Sequence, residues 1–398
     1  TTLIIGGGAS GMLAALCAAR HTQVMLLERQ NRLGRKLLST GNGRCNLTNL
    51  DLSFDHYHGG HAEFCRPALD AFGTAETLVF FRSLGLLTVC QEDGRIYPAS
   101  DSANSVLDVL RLHLEQNENV TIQTGCEIRA LSRRKGRFLA QSDLGEFSGD
   151  RVIICAGGAA GAKLGGTELG YRLLASFGHR CTALYPALVQ LKTTPDYVRA
   201  LKGVRCRARV RFGTQEREGE LQFTDYGVSG PVIFELSRAA SVAGRGMLTI
   251  DLLPNVQPDE LYVLLAARCA ALPQLSAQEL LTGMLHNRLG KTVLRMCGVP
   301  AELPCGETDA LDRICRMVKH WELPVLGTMG METAQVTAGG IRTDEFDPCT
   351  LQSRLCPGLY AAGEVLDVDG DCGGYNLQWA WSSGTVAGRL GKTGEETL

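Results

Sequence analysis

The chain has 398 residues, of which 44% are hydrophobic, a size and composition typical of a globular protein with more than one core. Forty basic and 42 acidic side chains leave a formal net charge of −2, which gives no overall attraction to nucleic acid or to an anionic membrane. The longest largely apolar stretch, residues 3–19, is interrupted by glycine and serine in its first half and does not predict a membrane span. From the charge balance and the interrupted apolar stretch we expect no nucleic-acid or membrane partner. Because the chain opens almost directly on a predicted strand, we expect a cytoplasmic protein.

The first predicted strand ends in a glycine-rich turn that opens a predicted helix. The turn has the spacing Gly6-x-Gly8-x-x-Gly11, which lets the backbone approach a pyrophosphate at the N–H groups of a helix N-terminus. A second predicted strand ends at Glu28, whose carboxylate is placed to accept hydrogen bonds from ribose hydroxyls. The order of strand, glycines, helix, strand and acid indicates a site for an adenine dinucleotide. The alternative is a glycine-rich turn in an ordinary α/β domain.

A similar pattern returns near the end of the chain. The segment from Gly358 to Glu364 is a predicted strand ending in glycine and an acid, and Gly373-Gly-Tyr-Asn376 opens the last predicted helix. The Glu364 carboxylate can accept ribityl hydroxyls, and a helix N-terminus can stabilise negative charge at the N1/O2 edge of a flavin. Two such turns so far apart indicate one long dinucleotide held from both ends of the chain, and FAD is the ligand that we predict.

Residues 34–49 form a stretch rich in small, polar and cationic side chains, which predicts a loop wrapped around the cofactor. Lys36 and Arg44 are suited to balance pyrophosphate charge, and Ser39, Asn46 and Thr48 to bind the ribityl chain or the isoalloxazine edges. The alternative interpretation is a surface loop rich in turn-forming residues.

Two further predicted strands approach the same ligand. The apolar run from Arg151 ends in glycines, as expected where the carboxyl end of a buried parallel strand meets a ligand. Residues 127–128 follow a strand predicted at 120–125 and are expected near the adenine. The predicted cofactor contacts are Gly6, Gly8, Ala9, Ser10, Gly11, Glu28, Arg29, Lys36, Ser39, Gly41, Gly43, Arg44, Cys45, Asn46, Thr48, Glu127, Ile128, Ala156, Gly157, Gly363, Glu364, Gly373, Gly374, Tyr375, Asn376 and Leu377.

The alternation of strands and helices stops between residues 185 and 325, which indicates an inserted domain. Before it, helical spacing covers 62–84 and 104–116, and residues 88–97 predict a short hairpin. The insert combines antiparallel strands, predicted at 188–191, 204–212, 219–224 and 247–252, with helices predicted at 259–272, 277–296 and 308–321. We therefore predict an FAD-binding domain in two parts, residues 1–185 and 326–398, and an insert over 186–325.

One strand of the insert places four arginines on a single face. Arg205, Arg207, Arg209 and Arg211 alternate with small or apolar residues, a pattern that could bind an anion such as a nicotinamide phosphate. Glutamates at positions 216, 218 and 220 lie in the predicted partner strand, so cross-strand ion pairing on a solvated face is the alternative.

Three groups of residues resemble metal or redox sites. The first group is His56, His58 and His61 with Asp55, which are either metal ligands or part of a solvated loop. The second is the aspartates at 367, 369 and 371, which lack the later glutamate of a calcium loop. Fifteen cysteines are scattered without a single C-x-x-C pair, so we expect reduced thiols rather than a cluster or structural zinc. We predict no metal.

Several segments together resemble one protein family. The resemblance is to BaiN/RdsA-type FAD-dependent oxidoreductases, and it is carried by Gly41-Asn-Gly-Arg-Cys-Asn-Leu-Thr-Asn49, the segment from Phe223 to Pro231, Val336-Thr-Ala-Gly-Gly-Ile341, Gly363-Glu-Val-Leu-Asp367 and Gly373-Gly-Tyr-Asn376. That family includes aminoacetone oxidase-like flavoproteins and bile-acid-pathway reductases. The resemblance spans nearly the whole chain and implies an α/β fold, a Rossmann-like FAD-binding domain with an inserted β-barrel plus helical domain.

The expected chemistry is hydride transfer at flavin N5 to or from a small organic substrate. Because no second strand–GxGxxG–helix pattern occurs, NAD(P)H is expected only as a transient electron donor. The candidate proton donors are Tyr375, Cys45, Asp367 and Asp369. The leading hypothesis is NAD(P)H-linked reduction. The alternatives are an oxygen-using oxidase of a small amine or amino ketone, a flavoprotein acting on RNA, and a non-catalytic flavin sensor.

Overall fold

The computed structural model describes residues 1–392, which divide into two compact units. The first unit consists of Thr1–Tyr185 together with the C-terminal residues from Gln335 onward. The second unit is Pro186–Ala334. The first unit is therefore discontinuous in sequence, with the second inserted between its two parts.

A parallel five-stranded sheet organises the first unit. Its order from one edge to the other is Leu359–Ala361, Arg151–Ile154, Thr2–Ile5, Val24–Leu27, Val120–Gln123. The three central strands are short apolar runs with almost every side chain buried, as expected for a sheet covered on both faces. Because the strands are parallel, their carboxyl ends lie along one edge of the sheet. The glycine and acid that follow strand Leu359–Ala361 therefore lie at the same edge as the first glycine turn.

Two helices from opposite ends of the chain pack closely against each other. They are Ala9–Ala18 and Tyr375–Gly388. A Cβ atom on Gly384 would overlap the carbonyl oxygen of Ser10, and one on Gly388 would lie 2.5 Å from the Cβ of Cys17. The contact therefore requires glycine at both positions of the C-terminal helix.

The remaining elements of the first unit surround this sheet. The helices are Arg66–Ala71, Thr74–Ser83, Ala103–Glu115 and Leu169–Ala175. One three-stranded sheet consists of Ile128–Arg134, Arg137–Ser142 and Gly145–Gly149, and another of Thr48–Asn49, Arg95–Pro98 and Thr88–Cys90. A two-stranded sheet pairs Tyr57–His58 with Asp369–Gly370. The single helix predicted over 62–84 is wrong. The chain breaks at Gly73, which starts a new helix with its N–H donated to Glu76 Oε2 at 3.0 Å.

The second unit contains a closed six-stranded barrel. Its order is Leu191–Thr193, Gly227–Ser229, Gln215–Phe223, Arg205–Phe212, Gly246–Asp251, Trp321–Thr328, and every neighbouring pair is antiparallel. Its helices are Pro195–Val198, Pro231–Ala243, Pro258–Ala271, Asn287–Met296 and Leu311–Lys319. The helix predicted over 277–296 begins only at Asn287, because His286 Nδ1 caps it by accepting the Arg288 N–H at 3.2 Å.

The arginine-rich strand of the barrel forms cross-strand ion pairs. Arg207 Nε lies 2.9 Å and Arg209 Nη2 3.1 Å from the Glu218 carboxylate, and Arg205 Nη1 lies 3.4 Å from Glu220 Oε1. The alternating residues Ala208, Val210 and Phe212 fill the buried side of the same strand. Arg205, Arg207 and Arg209 therefore form ion pairs across the strands, which is the alternative considered above. Exposed pairs of this kind contribute only about 0–1 kcal/mol each to the free energy of unfolding.

Within the described part of the chain, no helix combines the length and the apolar character that crossing a bilayer requires.

Candidate functional site

The first glycine turn places an open backbone at the carboxyl edge of the sheet. Gly6 has φ of +107°, and a Cβ there would overlap the Cys155 carbonyl. A Cβ on Gly11 would overlap the carbonyl oxygen of Gly6, so both residues are required by the turn itself. Gly8 differs, because apart from its own chain neighbours no atom of residues 1–392 lies within 4 Å of the position of its missing Cβ. This open space, next to the N-terminus of helix Ala9–Ala18, is suited to an anion that approaches the backbone, and Ala9 and Ser10 begin that helix.

Glu28 is fixed at the end of the second strand by two backbone donors. Gly7 N–H donates to its Oε2 at 2.6 Å, and Gln30 N–H donates to its Oε1 at 2.7 Å. Each carboxylate oxygen retains capacity for a further hydrogen bond, so the group can still accept ribose hydroxyls. Cys126 N–H donates to the Glu28 carbonyl at 2.9 Å, which brings Glu127 and Ile128 beside the same strand end.

The strand end at residues 155–157 closes the other side of the first turn. The Cα of Ala156 would lie 3.0 Å from a Cβ on Gly6, so the two segments are in direct contact. Gly157 has φ of +71° and no protein atom near its missing Cβ, which leaves a second stretch of open backbone at this edge.

The start of the last helix packs against a buried acceptor of the loop at residues 34–49. Gly374 has φ of +102° and caps helix Tyr375–Gly388, and a Cβ there would lie 2.7 Å from the Thr48 backbone and 3.0 Å from Asn46 Oδ1. The Asn46 side-chain oxygen is buried and has no hydrogen-bond partner among residues 1–392. A buried acceptor without a donor is unfavourable, so this atom fits a ligand that supplies an N–H or O–H group.

Two predicted contacts from opposite ends of the chain pair with each other. Lys36 Nζ lies 2.7 Å from Glu364 Oε2, and Thr337 N–H donates to Glu364 Oε1 at 2.8 Å. Gly363, just before this acid, packs so closely on Ser10 that a Cβ would lie 2.6 Å from its hydroxyl. The structure therefore brings the loop after the second strand, the first helix and the C-terminal return together.

Thr48 and Asn376 use their polar groups within the protein. Thr48 Oγ1 donates to Gln378 Oε1 at 2.6 Å in a buried position. The Asn376 amide accepts from Gly370 N–H at 2.8 Å and donates to the Gly370 carbonyl at 2.7 Å. Both side chains hold the loop and the return in place, and the neighbouring Leu377 is half-buried.

Three other predicted contacts have protein partners as well. The Arg44 guanidinium bonds Asp101 and lies 4.2 Å from the centre of the Tyr97 ring. The Ser39 hydroxyl is exposed and donates to the Lys36 carbonyl, and Arg29 Nη2 donates to the Gly165 carbonyl at 2.9 Å. These partners are far apart in sequence or lie in the backbone, so side-chain type alone could not reveal them.

The glycines at 41 and 43 shape the loop around Asn46. A Cβ on Gly41 would lie 2.9 Å from the Asn46 backbone nitrogen, while Gly43 has only one protein atom within 4 Å. Gly373 is held by Asn49 Nδ2, which donates to its carbonyl at 3.0 Å. These contacts join the loop to the start of the last helix.

The four candidate proton donors have different environments. Burial raises the pKa of the Cys45 thiol to about 12, which makes it a poor proton donor at neutral pH. Asp367 Oδ2 accepts the Gly60 N–H at 3.0 Å, and Asp369 is buried in the short strand that pairs with Tyr57–His58. The Tyr375 ring is buried and stacks on His56 with 4.2 Å between ring centres.

The histidine-rich loop contacts an aspartate that we did not predict as a site residue. His56 Nδ1 lies 3.1 Å and His58 Nε2 2.7 Å from the two oxygens of Asp371, whereas His61 lies 3.7 Å from Asp344. No group of three metal-binding side chains occurs among residues 1–392. The three histidines therefore do not share a site. No sequence pattern predicts that the two histidines contact Asp371, because more than 300 residues separate them.

Comparison with known proteins decides the family. The model of the HI0933-like protein Rossmann domain matches residues 1–390 of this chain. The chain belongs to the HI0933-like family. This confirms the resemblance to BaiN/RdsA-type flavoproteins and the predicted fold, a Rossmann-like domain with an inserted β-barrel.

Named relatives of this HI0933-like chain align over almost their full length. The 3-dehydro-bile acid delta(4,6)-reductase of Clostridium scindens is 42% identical over 400 aligned residues, covering 97% of each chain. The ribosomal RNA dihydrouridine synthase of Escherichia coli is 31% identical, covering 96% of this chain and 95% of the relative. Among solved structures, a 3-ketosteroid-delta4-(5alpha)-dehydrogenase of Rhodococcus jostii has 15% identity and a TM-score of 0.46, covering 98% of this chain and 95% of that one.

The HI0933-like chain is an FAD-dependent oxidoreductase. Its own geometry fits that cofactor, because an open glycine backbone and a fixed carboxylate lie at the carboxyl edge of the sheet, and the loop at residues 34–49 adds a buried acceptor with no hydrogen-bond partner among residues 1–392.

Proposed function

We propose that this protein catalyses the NAD(P)H-linked reduction of a carbon–carbon double bond conjugated to a carbonyl group in a small organic molecule. The observation that carries the proposal is the 42% identity, across nearly the whole of both chains, with a 3-dehydro-bile acid delta(4,6)-reductase. The second relative is named for making dihydrouridine, which is uridine with one ring double bond reduced. Both names therefore support one reaction class on different substrates. FAD, when bound, supplies hydride transfer at N5.

We further propose that FAD lies along the carboxyl edge of the parallel sheet. In this placement Gly8 and the first helix face the pyrophosphate, and Glu28 accepts the adenosine ribose hydroxyls. Asn46 and the N-terminus of helix Tyr375–Gly388 face the flavin ring system, which gives the Asn46 oxygen the donor that it lacks. The Lys36–Glu364 pair then lies between the two ends of the cofactor.

Substituting Glu28 is expected to weaken FAD binding. In Glu28→Ala the two backbone N–H donors and the ribose hydroxyls lose a charged acceptor, a loss of about 1.5–3 kcal/mol, or roughly 10- to 150-fold in affinity. The measurement is the dissociation constant for FAD by titration of the apoprotein. Glu28→Gln, which keeps one acceptor oxygen, is the control, and its affinity for FAD should lie between those of wild type and Glu28→Ala. An alanine variant with wild-type affinity would remove Glu28 from the proposed contacts.

The electron donor is tested by anaerobic mixing of the FAD-loaded protein with NADH and with NADPH. Rapid bleaching of the flavin absorption band with at least one nucleotide is the expected result. A conjugated enone, such as 4-androstene-3,17-dione, should then restore the band without oxygen and be recovered with its double bond reduced. Absence of bleaching with both nucleotides would contradict the proposal. Bleaching by an amino ketone and recovery with oxygen would favour the oxidase.

A second candidate function is reduction of uridine in ribosomal RNA. It is favoured by the 31% identity with the Escherichia coli enzyme over almost the full length of both chains. The net charge of −2 and the pairing of the exposed barrel arginines with glutamates argue against strong binding to RNA. Incubation with unmodified ribosomal RNA and NADPH, followed by nucleoside analysis, separates the candidates, because only this function produces dihydrouridine.

A further inference from the structure

Four side chains form a continuous series of polar contacts beside the proposed flavin site. Asp51 Oδ2 lies 3.4 Å from His56 Nε2, and His56 Nδ1 lies 3.1 Å from Asp371 Oδ2. The other oxygen of Asp371 lies 2.7 Å from His58 Nε2. One carboxylate is therefore shared by two imidazoles, and each imidazole faces a different oxygen.

The two ends of this series differ. The Asp51 side chain is 65% exposed and contacts solvent, whereas the His58 side chain is 29% exposed. The contact with Asp371 is made by His58 Nε2, so Nδ1 is on the opposite side of the ring from the carboxylate. Since Nε2 is occupied by Asp371, Nδ1 is the atom of His58 that is available to another molecule.

The backbone fixes this arrangement to the start of the last helix. Tyr57–His58 pairs with Asp369–Gly370 as antiparallel strands, and Asp371 N–H donates to the His56 carbonyl at 2.9 Å. The His56 ring stacks on Tyr375, the first residue of the helix that Gly374 caps. His58 and Asp371 are therefore tied to the segment that we place against the flavin.

The carboxylate that the two imidazoles share is ionised. Burial raises the pKa of Asp371, but the hydrogen bonds from His58 and His56 outweigh it and lower the pKa overall, so the carboxylate stays ionised at neutral pH. Besides Asp371, the titratable groups beside the imidazoles are Asp51, which contacts His56, Tyr375, which stacks on His56, and Asp369, the backbone partner of His58 across the short sheet.

We propose that His58 is the proton donor of the reduction, with Asp371 and His56 as its positioning residues. This inference rests on the proposed function, in which hydride from NAD(P)H reaches one carbon of the double bond by way of FAD. The other carbon then takes the proton from His58 Nδ1, and NAD(P)⁺ and the saturated product are released. Asp371 keeps the remaining proton of His58 on Nε2, and water returns a proton to Nδ1 because the side chain is partly exposed.

The first test separates the two halves of the reaction in His58→Gln. Glutamine keeps a hydrogen-bonding group but cannot donate a proton readily, so the enone-dependent recovery of the flavin band should slow by about 100-fold or more. Bleaching by NADPH should stay within about twofold of wild type, since that half-reaction does not need the proton. His61→Gln is the matched control on the same loop, because His61 contacts Asp344 instead of Asp371, and it should behave as wild type.

The second test needs no turnover. In histidine-labelled protein at high pH, ¹⁵N NMR should show neutral His58 in the Nε2–H tautomer, and Asp371→Asn should convert it to a mixture. A melting curve and the FAD content of each variant show that it is folded.

The outcomes are distinguishable. If wild type reduces the enone and His58→Gln does so at the same rate, the inference is wrong and the proposed function stands. A His58 tautomer that is unchanged in Asp371→Asn also overturns the inference. If wild type itself fails to reduce any conjugated enone, the proposed function fails, and the inference fails with it.

Discussion

Gly8→Ala is expected to leave the fold intact and to remove most of the FAD from the purified protein. The backbone at Gly8 is extended, with φ of −80° and ψ of −168°, so alanine adopts it without strain. Beyond its chain neighbours, the added methyl group has no atom of the described residues within 4 Å, so packing among these residues does not change. The methyl group instead fills the space proposed for the pyrophosphate. Overpacking of this kind costs about 1–3 kcal/mol, or roughly 5- to 150-fold in affinity.

The matched control is Gly11→Ala in the same turn. There the added Cβ overlaps the carbonyl oxygen of Gly6, so the fold itself must shift and the melting temperature should fall. Flavin-to-protein ratio and melting temperature are measured on both variants. The proposed position of the cofactor is contradicted if Gly8→Ala retains FAD as wild type does.

Glu345→Ala is expected to be the most destabilising of the variants considered for the first unit. Glu345 is buried, and its carboxylate accepts from Arg180 Nε at 2.7 Å, from the Arg180 N–H at 3.0 Å and from His179 Nδ1 at 3.0 Å. His179 is itself buried, with Nε2 2.9 Å from Ser353 Oγ. Removing the carboxylate leaves the buried His179 Nδ1 and the part-buried Arg180 N–H without an acceptor, at about 1–3 kcal/mol for each donor, whereas the exposed Arg180 guanidinium can turn to solvent.

The free energy of unfolding from urea denaturation measures this effect. Asp344→Ala is the neighbouring control, because Asp344 pairs with Arg342 at the surface and such pairs contribute about 0–1 kcal/mol. Similar losses in the two variants would show that the buried cluster contributes no more than a surface pair.

The same cluster predicts how stability depends on pH. Burial lowers the pKa of His179, so the unfolded chain binds more protons and stability falls as the pH drops below about 6.5. Burial raises the pKa of Glu345, but the hydrogen bonds from Arg180 and His179 outweigh it and lower the pKa overall. Its contribution is therefore full above about pH 4.5 and is lost as the pH falls through the lower folded value. Glu345→Ala should flatten this acid limb.

The first strand–helix–strand unit and the C-terminal return were predictable because their signals are local. Short apolar runs followed by glycines identify Thr2–Ile5 and Leu359–Ala361, and a repeated turn type at both chain ends implies that they meet. The three-stranded sheet that begins at Ile128 was not predicted beyond its first residues. Its strands carry many exposed charged residues, so the alternation expected of a strand with one buried face is weak.

The candidate site was less predictable than the fold, because its contacts join residues far apart in sequence. Glycines and acids at strand ends indicate where a dinucleotide can lie, since their role follows from the backbone. The pairing of Lys36 with Glu364, and of His58 with Asp371, depends on the packing of the return against the loop and has no pattern in the sequence. Side-chain type alone likewise could not show that the Thr48 hydroxyl bonds Gln378, whereas the Asn46 oxygen has no protein partner.

The division of the first unit into two stretches of sequence has a consequence for biosynthesis. As the ribosome extends the chain, residues 186–334 are complete while the sheet still lacks its outer strand and helix Tyr375–Gly388 has not been translated. Until then the apolar side of helix Ala9–Ala18 has no glycine-lined partner and is exposed to solvent. A nascent chain should therefore need a holding chaperone for its amino-terminal half, and truncation before residue 375 should yield a chain whose barrel resists protease while its first 185 residues are degraded.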